Sequence, residues 1–119
     1  MAEPAFEQGP FLFDNYLWLG IDAAKNGDWL KAANIFEKMN NFFKENDLWL
    51  KTELANALYN CGRLKNAAQL ARQINNTRPN IATKLIEARA AKKLEDYQTA
   101  IKLYQDSLEI LEGKQSVWT

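Results

Sequence analysis

Two carboxylates, Asp14 and Glu53, and one thiol, Cys61, are the side chains that could bring reaction chemistry to this 119-residue chain. Paired acids can divide general acid and base roles when their environments differ, and a thiol attacks when it readily loses its proton. The rest of the composition does not back either reading. No histidine is present to act as base, proton shuttle or metal ligand at neutral pH. One cysteine cannot build a zinc site or an intrachain disulfide, and it fits a reducing compartment. The five glycines form neither GxxxxGK[ST] nor GxGxxG, so no phosphate cradle is encoded. Cys61 stands directly before Gly62, where a small side chain suits a helix end. The expectation is a protein that is not an enzyme and needs no cofactor or metal.

The elements that would position any site are legible as a repeat. Copy one reads Tyr16-x2-Leu19-Gly20-x2-Ala23, a turn at Gly27-Asp28-Trp29, then Ala32-x3-Phe36. Copy two reads Lys51-x2-Leu54-Ala55-x2-Leu58, a turn at Gly62-Arg63-Leu64, then Ala67-x3-Ala71, and closes at Pro79. Copy three reads Lys84-x2-Glu87-Ala88-x2-Ala91, a turn at Glu95-Asp96-Tyr97, then Ala100-x3-Tyr104. Gly20, Ala55 and Ala88 are 35 and 33 residues apart, and Ala32, Ala67 and Ala100 keep the same spacings. Two landmarks in one register mark a genuine internal repeat with a period near 34.

Each copy makes physical sense as two antiparallel helices. Leu17, Leu19, Gly20 and Ala23 form a stripe that stops at Asn26-Gly27, where glycine accepts a left-handed cap. Asp28 caps a second helix whose apolar face is read as Leu30, Ala33, Ile35, Phe36 and Met39. Gly20 against Ala32, Ala55 against Ala67 and Ala88 against Ala100 are expected to let backbones approach closely. Phe36 and Tyr104 are expected to fill space between units, and Trp29 and Tyr97 to pack between helices after the turns. Pro79 ends one helix and admits the next.

These residues resemble the tetratricopeptide repeat (TPR) family, in three tandem copies at 13–47, 48–80 and 81–112. The resemblance implies an all-α, right-handed α-solenoid of six helices. Copy one lacks an aromatic at Ala23, copy two has Ala71 for the second-helix aromatic, and copy three has Glu87 at a usual leucine position. Residues 1–12, with Pro4 and Pro10, read as a flexible lead, and 113–119 as a tail with no C-terminal capping helix. An uncapped last unit exposes an apolar face. Its expected cover is a second copy, giving a homo-oligomer, a partner, or the folded-back Val117-Trp118.

The family resemblance also implies a module that binds another protein, with first helices lining a concave groove. The candidate groove residues are Leu17, Trp18, Ile21, Trp49, Asn56, Tyr59, Arg89, Lys92 and Lys93. Thr52, Glu53, Ala82, Leu85 and Ile86 fall on the same helix faces. The family's clamp for heat-shock chaperone carboxylates needs Lys, Asn and Arg. The matching Leu17, Ile21, Glu53, Ala82 and Ile86 supply none of these, so no such clamp is expected. The alternatives are a small TPR chaperone shielding a client and a self-assembling structural protein with an empty groove.

Charge refines the partner. Fifteen basic and fifteen acidic residues cancel, so bulk electrostatics give no case for nucleic acid or membrane binding. The charges are nonetheless segregated: residues 48–93 hold nine bases and two acids, while the flanking segments are net acidic. An acidic stretch of a partner, docked near copy three, is the functional reading; pairing with acidic neighbours inside the chain is the competing one. A composition 47% hydrophobic and 25% charged suits a globular domain. With neither a signal-peptide plan nor an apolar run long enough to span a bilayer, the expected location is cytoplasmic.

Overall fold

The computed structural model describes the backbone of residues 5–43 and 47–113 and the side chains of 12–42 and 47–113. Among the described residues there are six helices and no strands: α1 (Ala5–Lys25), α2 (Trp29–Phe43), α3 (Leu48–Asn60), α4 (Leu64–Thr77), α5 (Ile81–Lys93) and α6 (Tyr97–Leu111). Each packs on the next in chain order, and α3 also meets α5. Among the described residues no helix is long and apolar enough to cross a membrane.

Three tight turns of the same design fold the helices into hairpins. Gly27, Gly62 and Glu95 hold φ of 78°, 94° and 68°, and they stand 35 and 33 residues apart, the spacing of the sequence repeat. At each turn the next residue donates its amide five residues back: Asp28 to Ala23, Arg63 to Leu58, and Asp96 to Ala91. The left-handed residue itself donates to Ala24, Tyr59 and Lys92 respectively. These bonds use the carbonyls that a helix end leaves unpaired. On the far side of the first and third turns the Asp28 and Asp96 carboxylates accept from the amides of Lys31 and Thr99. Between hairpins, Arg78 is driven off the helical region ahead of Pro79, and the Asn80 side chain caps α5 through the Thr83 amide.

The repeated small residues are buried in all three copies: Gly20, Ala55 and Ala88 on the first helices, and Ala32, Ala67 and Ala100 on the second. In two copies the first-helix residue also meets the residue four further along the second helix, 36 or 71. A Cβ on Gly20 would lie 2.6 Å from the Phe36 ring, so the glycine seats that ring within the hairpin. Ala55 clusters with Ala71 and with Ile86 of α5. Residues 20 and 36 of copy one correspond to 55 and 71 of copy two. A glycine with a phenyl ring in one hairpin is replaced by two alanines and a neighbour's isoleucine in the next.

Several expectations are corrected. Residues 5–12, read as a flexible lead, form the opening turns of α1; Pro10 removes a single backbone donor near the helix start. Leu19 and Leu30 are exposed, because each lies about a quarter-turn from the buried Gly20–Ala23 and Ala33–Phe36 lines. Tyr97 and Tyr104 are exposed as well, since no described helix packs beyond α6. Trp29 does pack against the core, as expected. Val117 and Trp118 lie outside the described residues.

Two substitutions test this packing by urea unfolding. Phe36 is fully buried and cannot step aside, so Gly20→Ala is expected to lose about 1 kcal/mol even though alanine is the better helix former by about that much. Glu95→Gly is expected to gain up to about 1 kcal/mol, because only this turn holds a side chain at positive φ. Unchanged midpoints would contradict both accounts.

Candidate functional site

The α3–α5 contact creates a groove of about 340 Å³ lined by Thr52, Glu53, Asn56, Ala82, Leu85, Ile86 and Arg89. Spacings of three and four put Ala82, Leu85, Ile86 and Arg89 along one face of α5, opposite a matching face of α3. Ala82, Leu85 and Ile86 supply apolar surface, and Ile86 is itself anchored against Ala55 and Ala71. The polar groups come from α3 and from the Arg89 end of α5.

Those polar groups are unevenly committed. The Thr52 hydroxyl donates to the Leu48 carbonyl at 2.7 Å and is spent on its own helix. The Asn60 side-chain amide donates to the Asn56 backbone carbonyl at 2.8 Å and to Asn56 Oδ1 at 3.2 Å, which engages both Asn56 oxygens on their own helix. Glu53 is half-buried, and burial lifts its carboxyl above the usual carboxylate range. No ion pair reaches Glu53, Arg89 or Lys92 among the described residues. Lys93 Nζ sits 4.8 Å from the centroid of the Tyr59 ring, a cation–π contact that ties α3 to α5 near the hairpin turns.

The candidate residues therefore divide. Asn56 and Arg89 line the groove, and Tyr59 and Lys93 bridge its two walls. Lys92 is exposed beside them. Leu17 packs against the core, Ile21 is half-buried, and Trp18 and Trp49 are exposed; none of these four lines the groove. The reason is that α3 packs directly on α5, whereas the main neighbour of α1 is α2. Thr52, Glu53, Ala82, Leu85 and Ile86 belong to the site through the same helical spacing. The clamp positions Glu53, Ala82 and Ile86 present an acid and two apolar groups here.

A second polar region escaped the sequence reading. Glu87 is buried, with its side chain 7% exposed, and takes Arg72 Nε at 3.1 Å and Asn75 Nδ2 at 2.9 Å from α4. Thr83 completes the cluster by donating to Asn75 Oδ1 at 2.7 Å. The signal available was a threonine and a glutamate four apart on an alanine-rich face, a polar pair where apolar residues are the rule. Lys84 and Lys102 share Asp106 at 3.9 and 3.8 Å alongside, so the charges of this cleft are already satisfied. Arg63 likewise meets Glu37 at 3.5 Å. Arg63, Arg72 and Lys84 of the basic middle segment are thus paired within the chain. Arg89 and Lys92 beside the groove form no ion pair among the described residues.

The raised Glu53 pKa fixes the sign of a pH effect. Its protonated form favours the fold; that contribution is fully present below the unfolded carboxylate value and is lost as pH rises through the raised folded value. Glu53→Gln is therefore expected to melt higher than the parent at neutral pH, with the two curves converging in acid. A lower melting temperature at neutral pH would show that the carboxylate has a stabilising partner. No protein-family model and no curated protein matches this chain.

Proposed function

We propose that this chain is a non-catalytic, cytoplasmic protein-interaction module of TPR type, a right-handed solenoid of three repeats. It holds a peptide or helix of a partner protein in the groove between α3 and α5. Support for the repeat comes from the three turns of one design at the repeat spacing and from small residues buried in every copy. The observation that carries the binding reading is the groove itself. It combines an apolar surface with a desolvated acid and with Arg89, which, like the neighbouring Lys92, forms no ion pair among the described residues. A pre-formed cleft with a few uncommitted polar groups is what a peptide ligand requires.

The partner segment in this reading seats an apolar side chain over Leu85 and Ile86. It points an acidic residue at Arg89 and Lys92, and offers a backbone amide or a base to Glu53. Arg and Tyr are among the residue types that carry most binding energy when covered. The test is capture of partners from lysate, followed by affinity measurement on the captured protein. Tyr59→Ala/Arg89→Glu is expected to weaken the parent's specific partner by about tenfold or more, with the Arg89 component fading as salt is added. Binding that survives both changes would overturn the groove assignment.

A further inference from the structure

Helix α6 carries Tyr97, Ile101, Tyr104, Leu108 and Leu111 at spacings of four and three, the seam spacing of two helices packed side by side. All five are in water, between 37 and 66% exposed, while Ala100 and Ser107 on the adjoining face are buried against the fold. The exposed stripe is therefore a second apolar face on a helix that has already used its first. We infer that a second copy of this chain covers it, through two-fold, antiparallel packing of α6 on α6.

Two observations favour this occupant. Aromatic side chains bury roughly 150–250 Å² each and aliphatic ones somewhat less, so the stripe leaves on the order of 500 Å² in water per copy. That is the size of the largest patches on ordinary monomers. Packed stripe on stripe, two copies remove about 1,000 Å², the floor for a specific interface. The stripe also complements itself: run antiparallel, Tyr97 opposes Leu108 and Ile101 opposes Tyr104, and Leu111 falls opposite the half-exposed Leu94 just ahead of α6.

The test is the solution mass of the full chain by sedimentation equilibrium. A concentration-dependent dimer is expected, and Ile101→Lys is expected to weaken it by about a hundredfold, since the two-fold axis introduces the buried charge twice. Ile101 is exposed, so the variant should keep the parent's helical circular dichroism. Leu30→Lys, equally exposed but on α2, should leave the dimer intact. In a Cys61→Ser background, Gln98→Cys and Gln105→Cys copies should couple with each other, and two Gln98→Cys copies should not. A parent that stays monomeric leaves the stripe to another segment or a different protein and overturns the proposal. So does a dimer indifferent to Ile101→Lys, or a mass that climbs without limit. Efficient self-coupling of Gln98→Cys would make the pair parallel and overturn the arrangement.

Discussion

The close approach of helices at glycine and alanine is the constraint on which the remainder of the structure rests. Where Gly20 lacks a side chain, the Phe36 ring lies against the helix backbone itself. Where Ala55 and Ala71 stand at the matching positions, neither is large enough to fill the crossing, and Ile86 arrives from the following hairpin to join them. That one substitution of partners has consequences beyond packing. It draws α5 onto α3, and a side chain that closes the core on one side becomes groove surface on the other. The core and the candidate site share Ile86, so a change at that residue alters both.

Much of this was legible before any coordinates. Turn positions followed from Gly27, Gly62 and the matching Glu95-Asp96, because backbone demands at a helix end are local and few residue types meet them. The Asp28 cap and the break at Pro79 followed for the same reason. Azimuth was read less well. Leu19 and Leu30 look like core residues in a periodic pattern, yet a shift of one residue is a rotation of about 100°, enough to carry a leucine from core to water. Glu87 was the hardest case. Its partners Arg72 and Asn75 sit on another helix, and nothing in the local sequence says that a buried acid there will be fully hydrogen-bonded.

The charge pattern shows the same limit. A run of bases through the middle of the chain could have meant one continuous positive surface. Instead the helices sort it: Arg63, Arg72 and Lys84 are directed to Glu37, Glu87 and Asp106, while Arg89 and Lys92 meet no acid among the described residues. Which charges remain to attract a partner is decided by helix rotation, not by composition. The site was legible where periodicity alone fixes the facing residues, along α3 and α5. It was illegible along α1, where the spacing holds but the neighbouring first helix does not pack directly alongside.

Contact in chain order has a kinetic corollary. Every large interface joins helices adjacent in sequence, apart from α3 with α5, so ordering the chain requires few long loop closures and should be rapid. The same linear layout means that opening proceeds from the ends inward, since α1 leans chiefly on α2 and α6 on α5. Helices α3 and α5 are different: each touches three others, so both are expected to come loose last. Both walls of the groove thus belong to the part of the molecule expected to exchange its amides slowest, while the outer helices open first.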